Sequence, residues 1–421
     1  METSQSWIAN IAILNKILAK ESWYNTFFAK FSGNVDISKD DNGNKSYIPS
    51  GKPIEVLSDF IAQGRDNMVI PFLRELSGSP VYGDTVLKGT GEDQSMYWLR
   101  SFVNQYRKAV MKKSGSMSEQ RQRIYKLYEE AKPQLSQWFT KWENQAIFQT
   151  FYEGVSPNLS TGTAYDGLGI VKRYHPNWYY MDDEDSIAAV GTEGKTKTNA
   201  NLDTAEDLAD DAGHTLSAAT LQELRIKCMT LRIPQIVTKN GLSFWAMVVH
   251  PEQMKTLQQD SVYYGAQREA YSGKTLALPE LSGAAGFYGG FALYEDIIGI
   301  RSWIQGDSAF FGTTVDERFA PTTGDTYNAL VFGNSAIGKG IASDLHFTNE
   351  IDDHENTIEV GGALINGYNR AEYFTEGTAG QASGGGAANA FSKDNASELV
   401  SDAIVATNQS SLILMTGKTP A

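Results

Sequence analysis

Trp7, Ile8, Ile11, Leu14, Ile17 and Leu18 recur at helical spacing, with Lys16 and Lys20 among the polar positions, which predicts an amphipathic helix or helix pair over 4–31. Gly33 ends that pattern, and Asp40-Asp41-Asn42-Gly43-Asn44 is turn chemistry, so residues 32–55 read as an extended, mobile connection. Such a segment has no core of its own and is expected to pack elsewhere, on this chain or on another copy.

Residues 81–110 carry two strand-like runs, Val81–Lys88 and Met96–Val110, joined by the Gly-rich turn Gly89-Thr90-Gly91-Glu92-Asp93. Tyr82, Val86, Leu87, Met96, Tyr97, Trp98, Leu99, Phe102 and Val103 put apolar groups on both faces. Paired, the runs reach roughly 25 Å at about 3.3 Å per residue. An isolated two-stranded hairpin is marginal in water, so this one needs a surface to lie on, and a neighbouring subunit is the natural candidate.

The strongest helical signal is 117–153. Ser116-Met117-Ser118-Glu119 is a capping-box pattern, in which serine hydroxyl and glutamate carboxylate each satisfy an unpaired backbone N–H. The stripe Ile124, Leu127, Tyr128, Ala131, Leu135, Trp138, Trp142, Ala146 keeps a spacing of three to four residues, and Gly154 supplies the stop. Pro133 is expected to kink or divide the helix. At 1.5 Å per residue the element spans about 55 Å, the length of a structural spine.

Beyond Gly154, short strand-like runs alternate with Gly- and Asp-rich loops. A helix is expected near 216–231 (Leu216, Leu221, Leu224, Ile226, Cys228), a strand at Phe244–Val249, and a helix opening at His250-Pro251 with proline in its first position. Further strands are expected at Phe291–Glu295, Ile297–Trp303, Tyr327–Phe332, Thr357–Tyr368 and Leu412–Met415, with 184–214 and 374–396 as surface loops. The mixture predicts an α+β fold with long loops.

A chain of 421 residues with 41% hydrophobic and 20% charged residues is globular in composition and long enough for two or three subdomains. Its one cysteine, Cys228, forms no internal disulfide and reads as a small buried hydrophobe in a reducing compartment. The opening residues show no basic-then-apolar leader, and no apolar run of about 18 residues suits a membrane span. The expectation is a chain made and folded in a cytoplasm.

The net charge of −14 argues against a dedicated nucleic-acid binder. The charge is uneven, however: residues 1–150 hold 19 Lys/Arg against 16 Asp/Glu, and residues 151–421 hold 17 against 34. Arg100, Arg107, Lys108, Lys112, Lys113, Arg121, Arg123 and Lys126 stand with a single acid, Glu119, between them. This run is either a solvated positive face or a basic stem that meets an acidic surface on a neighbouring copy.

Gly333-Asn334-Ser335-Ala336-Ile337-Gly338-Lys339-Gly340 follows a strand and nearly matches the loop that cradles phosphates. Gly340 stands where the magnesium-holding hydroxyl belongs, so a Gly-rich turn is the better reading. Asp352-Asp353-His354-Glu355 reads as a solvated acidic turn, and no metal or catalytic spacing links the five histidines. No catalytic, cofactor-binding or metal-binding residue is assigned, and the chain is not expected to be an enzyme.

Five stretches carry a resemblance: Pro71-Phe72-Leu73-Arg74-Glu75-Leu76-Ser77-Gly78, Gly83-Asp84-Thr85-Val86-Leu87-Lys88-Gly89, Met117-Ser118-Glu119-Gln120-Arg121, Val248-Val249-His250-Pro251-Glu252-Gln253, and the strand 357–373. In that order they resemble the major capsid proteins of N4-like podoviruses, which adopt the Hong Kong ninety-seven-type coat fold. The resemblance implies an N-terminal arm (1–78) and an extended E-loop hairpin (79–115). It further implies a peripheral domain with the spine helix (116–214), an axial domain (215–345) and a return to the peripheral domain (346–421). It also implies hexamers and pentamers closing into an icosahedral shell in the virion, assembled in the host cytoplasm. Portal and scaffold or decoration proteins would be partners, with packaged DNA enclosed without sequence-specific binding and no membrane.

On this reading Gly89, Thr90, Gly91, Glu92, Asp93, Trp98, Phe102, Arg100, Arg107, Lys108, Lys112 and Lys113 are the candidate inter-subunit contacts. Two alternatives stand beside it: a nucleotide-binding enzyme using Gly333–Gly340, and an encapsulin-like shell with enzyme cargo.

Overall fold

Two stretches without polar alternation, Thr326–Phe332 and Ser411–Gly417, are buried along their whole length, as strands covered on both faces must be. They lie side by side at the centre of the molecule, antiparallel from Thr326↔Gly417 to Phe332↔Ser411. The computed structural model describes residues 25–39, 45–48, 50–57, 67–73, 80–83, 96–111, 127–154, 175, 177–183, 186–189, 215–238, 241–272, 283–297, 300, 309–310, 313–314, 326–352, 357–371, 373–375, 405–407 and 410–417.

A 3-10 helix, Phe27–Phe31, leads into β1 (Ser32–Asn34), β2 (Asp36–Lys39), β3 (Lys45–Ile48) and β4 (Ile54–Leu57). β5 (Asn67–Leu73), β6 (Met96–Phe102) and β7 (Asn104–Met111) precede the long helix α1 (Leu127–Glu153). Next come β8 (Trp178–Asp183), β9 (Ser186–Ala189), α2 (Ala218–Thr230), β10 (Ile236–Val237), β11 (Ser243–Val249), α3 (Pro251–Gln259) and α4 (Ser261–Ser272). The rest is strand: β12 (Gly286–Tyr288), β13 (Phe291–Glu295), β14 (Ala309–Phe310), β15 (Thr313–Thr314), β16 (Thr326–Phe332) and β17 (Ile337–Asp352). β18 (Thr357–Arg370), β19 (Tyr373–Thr375), β20 (Val405–Thr407) and β21 (Ser411–Gly417) follow.

An eight-stranded mixed sheet runs β12-β13-β11-β16-β21-β8-β9, with β10 paired to β11. A five-stranded sheet runs β1-β4-β17-β18-β7, and its long hairpin β17–β18 carries register shifts between Ile341 and His346. The strand pairs β2–β3, β5–β6, β14–β15 and β19–β20 are separate ribbons. The large sheet thus gathers strands from 178–189, 236–332 and 411–417.

Helix α1 ties the two sheets together. Its first half sets Leu135 and Phe139 against Tyr106, Leu345, Phe347, Val360 and Leu364 of the five-stranded sheet. The approach is close at Gly362, where a Cβ would stand 2.7 Å from the Phe139 ring. Its second half, Ala146 to Tyr152, enters the main core. Ala146, Ile147, Phe148 and Phe151 are all fully buried, so this half is apolar on more than the single stripe read from sequence. Pro133 lies inside α1 without dividing it, and the 27 residues span about 40 Å. The capping-box residues at 116–119 lie outside the described residues.

The described parts of 32–55 are strands and turns in place of the loose connection expected, and the residues just before them are packed into the core. Phe28 and Phe31 are buried, with ring centroids 4.8 Å from Phe148 and 5.3 Å from Phe332 respectively. β4 pairs in parallel with β17, and Ile54 and Val56 join the main core. Lys30 lies over the Tyr294 ring at 3.9 Å, and burial pulls its pKa down to about 8. Of the helix expected at 4–31, only the short 3-10 turn falls within the described residues.

Helix caps follow the local sequence. Ser217 Oγ accepts the Thr220 N–H at 3.2 Å to open α2, and Leu221, Leu224 and Cys228 form its buried stripe. Cys228 is the buried hydrophobe expected, and burial raises its thiol to about 12. His250 opens α3: its Nδ1 accepts the Glu252 N–H at 3.2 Å, and its own N–H donates to Gln253 Oε1 at 3.0 Å. Gln253 Nε2 then donates to Tyr327 O and Thr416 Oγ1, pinning the helix onto β16 and β21.

Two buried polar groupings secure α1. At its middle, Glu143 Oε1 accepts from Lys339 Nζ at 2.9 Å, Asn366 Nδ2 at 3.1 Å and Tyr368 Oη at 3.0 Å. At its end, the fully buried Arg370 donates through Nη1 to Phe151 O, supplying one of the helix carbonyls with a partner. Beyond Arg370 lies His175, whose Nε2 is 2.8 Å from Ser411 Oγ and whose Nδ1 accepts the Asn177 N–H at 3.1 Å.

An accepting Nδ1 requires the neutral ring. Burial, and next the charge of Arg370, hold the His175 pKa well below its usual 6.5. The unfolded chain therefore takes up a proton that the folded chain refuses. This stabilisation is complete above pH 6.5 and fades as pH falls towards the folded pKa, by at most about 1.4 kcal/mol per pH unit. Urea unfolding at pH 7 and at about pH 5.5 is expected to show a larger loss for the native chain than for His175→Gln. Equal losses would remove His175 as the source.

Candidate assembly interface

The expected strand run Met96–Val110 holds β6 and β7, and the strand found paired with β6 comes from before Val81. β6 pairs antiparallel with β5, from Asn67↔Phe102 through Pro71↔Trp98 to Leu73↔Met96. Of the run Val81–Lys88 expected as its partner, Val81, Tyr82 and Gly83 are not strand, and the remainder lies outside the described residues. The seven pairs reach about 20 Å. Alternation along a strand gives positions 68, 70, 72, 97 and 99 one face, occupied by Met, Ile, Phe, Tyr and Leu. Positions 98, 100 and 102, holding Trp98, Arg100 and Phe102, share the other.

No third strand pairs with this ribbon among the described residues. Its base is firm, because β6 passes through Val103 directly into β7, whose residues Asn104–Met111 pair with Asn366–Glu359 of β18. β7 is an edge of the five-stranded sheet, and it exposes Arg107 and Lys108 there. Cationic residues on an edge oppose unspecific strand addition and also mark the edge for an acidic partner. Of the basic run, then, the structure brings Arg107 and Lys108 to one edge, next to the ribbon that carries Arg100. Gly89, Thr90, Gly91, Glu92, Asp93, Lys112 and Lys113 lie outside the described residues.

Sequence reasoning missed an apolar surface on the helices. Ile226, one of the residues that marked α2 in the sequence, is 54% exposed, and Met229, one turn further along α2, is 51% exposed. Val262 and Tyr264 at the start of α4 are exposed as well. The signal was present in the α2 stripe, because Ile226 is out of phase with Leu221, Leu224 and Cys228.

The phosphate-loop resemblance dissolves in three dimensions. Such a loop delivers its anion to a helix N-terminus, whereas Asn334-Ser335 turns the chain from β16 straight into another strand, β17. Lys339 is 3% exposed and engaged with Glu143, unavailable to a nucleotide. Gly333 is required by crowding, since a Cβ there would stand 2.0 Å from Pro234 O. The nucleotide-binding alternative is set aside on these contacts. Among the described residues, no helix is long and apolar enough to cross a membrane.

A family model described as phage capsid protein matches residues 30–392. No curated protein sequence matches. Among solved structures, the capsid of Ralstonia phage GP4 aligns over 94% of this chain and 92% of its own, with a TM-score of 0.60 and 14% identity. The acidic stable capsid of Helicobacter pylori bacteriophage KHP30 aligns over 94% and 91%, with a TM-score of 0.57 and 12% identity. The capsid asymmetric unit of cyanophage Pam1 aligns over 88% and 90%, with a TM-score of 0.55 and 16% identity. At these identities the likeness is one of fold.

Proposed function

This chain belongs to the phage capsid protein family, and on that premise we propose that it is the major coat subunit of a tailed bacteriophage of the N4-like group. Its fold is the Hong Kong ninety-seven type, with β5–β6 as the E-loop ribbon, α1 as the spine and the eight-stranded sheet as the axial domain. The peripheral domain comprises 26–57, β7, α1 and the β17–β18 hairpin, which shortens the arm to the residues before them. Hexamers and pentamers close into an icosahedral shell, assembled in the host cytoplasm and joined by a portal. Packaged DNA is enclosed without sequence-specific contact, and the net charge of −14 limits its adhesion to the wall. The role is structural.

The observation that carries this reading is the ribbon: two strands outside both sheets, apolar in sequence on both faces, and rooted through β7 in the rigid sheet beside the spine. An adjacent copy supplies the surface such a ribbon needs, at roughly 25 cal/mol per Å² of apolar area buried. Replacing residues 68–101 with a short Gly-Ser linker is expected to leave a cooperatively unfolding subunit that forms no closed particles by electron microscopy. Closed particles of normal size from that variant would overturn the ribbon's role.

The second contact is the basic edge at Arg107 and Lys108, which on this reading meets an acidic surface of the neighbour. Assembly yield is then expected to fall as salt rises from about 0.05 to about 0.5 M, since screening shortens the reach of exposed charges. A yield indifferent to salt would exclude that contact.

A further inference from the structure

The grouping around Glu143 is more than a buried ion pair. Lys339, Glu143, Asn366 and Tyr368 are each less than 10% exposed, and three of them donate to one oxygen, Glu143 Oε1. The β17–β18 register pairs Lys339 with Tyr368 and Ile341 with Asn366. Lys339 and Asn366 are therefore diagonal neighbours on one face of the hairpin, a separation that a long side chain bridges. Asn366 Oδ1 is buried without a hydrogen-bond partner, so its carbonyl is free of competing donors. The Tyr368 ring centroid lies 5.5 Å from Lys339 Nζ.

We propose that Lys339 and Asn366 join in an intramolecular isopeptide bond, formed by the folded subunit itself with Glu143 as the proton carrier. Away from water, a lysine–glutamate pair gains by passing a proton from Nζ to the carboxylate, because neither charge is then left buried. Burial pulls the Lys339 ammonium towards the neutral amine, and the charge of Glu143 opposes it. A half-turn of the Asn366 carboxamide brings Oδ1 to the Glu143 carboxylic acid, whose O–H polarises the carbonyl. The Nζ lone pair attacks Cγ, and the Nζ–Cγ bond forms as the carbonyl electrons move to Oδ1. Glu143 takes the second Nζ proton and delivers a proton to Nδ2; the carbonyl re-forms, the Cγ–Nδ2 bond breaks and ammonia leaves. An amine and a primary amide become a secondary amide and ammonia, with no oxidant or reductant. Holding both reactants on one carboxylate oxygen replaces a bimolecular encounter, the source of very large effective concentrations.

Such a bond would clamp β17 to β18 beneath the spine, and it does not depend on the coat-subunit reading. The test is the intact mass of the purified full chain under denaturing conditions, followed by a tryptic map. The expected result is a mass lower by one ammonia, no cleavage after Lys339, and a branched peptide containing Lys339 and Asn366. Glu143→Gln and Lys339→Arg are each expected to restore the full mass and to lack the branched peptide. Full mass in the native chain overturns the proposal. So does an ammonia loss confined to a linear peptide, because Asn366 precedes Gly367 and an Asn-Gly pair can cyclise on its own.

Discussion

Glu143→Ala is expected to destabilise the subunit by about 3–5 kcal/mol, the cost of leaving a buried charge without its partner. The carboxylate is what Lys339, Asn366 and Tyr368 share, so its loss leaves an ammonium and two polar groups in a space water does not reach. The same substitution removes the proton carrier of the proposed bond, so Lys339 stays a free amine in the variant. Chemical unfolding of the single variant and of Glu143→Ala/Lys339→Met separates charge from shape. The double variant is expected to recover much of the loss, because a methionine asks for no partner. A single variant within about 1 kcal/mol of the native chain would mean that the pair contributes little to holding α1 on the hairpin.

Phe151→Ala is the second large effect, at about 3–5 kcal/mol for emptying a packed aromatic site. Phe151 is fully buried and stacks on Phe332 with centroids 5.5 Å apart, and Phe28 lies 6.2 Å away on the other side. The ring therefore joins three separate parts of the chain: the 3-10 turn, the spine and the central sheet. A double-mutant cycle with Phe332→Ala is expected to give a coupling of about 0.5–1.5 kcal/mol, as for contacting aromatic rings. Strict additivity of the two substitutions would refute direct packing between them.

The elements read well from sequence are those whose burial is written locally. β11, β13, β16 and β21 are largely apolar runs bounded by glycine, proline or polar turns, and His250-Pro251 announces α3 by its cap alone. What the sequence could not show depends on distant partners. Lys339 sits at the spacing of a phosphate ligand, and only Glu143, far away in the chain, turns it inward. β17 begins among glycines and alternates polar residues, so it reads as a turn until β18 lies beside it.

The pairing of β6 with β5 was not legible for a similar reason. Short connections are the usual choice between paired strands, which favoured Val81–Lys88, yet β6 reaches across residues 74–95 to β5. The apolar character of both faces was legible, and so was the basic edge at Arg107 and Lys108. The exposed Ile226 and Met229 were not, because an apolar residue in a helix is first assigned to the core.

The position of β21 bears on how the subunit is made. It lies between β16 and β8, although β8 leaves the ribosome more than two hundred residues earlier. Until residues 411–417 emerge, the large sheet is split into two parts, each with an open edge of unpaired backbone, and such edges invite pairing with the wrong chain. A nascent polypeptide cut short before Ser411 lacks the strand that fuses them, so quality control of synthesis is built into the topology.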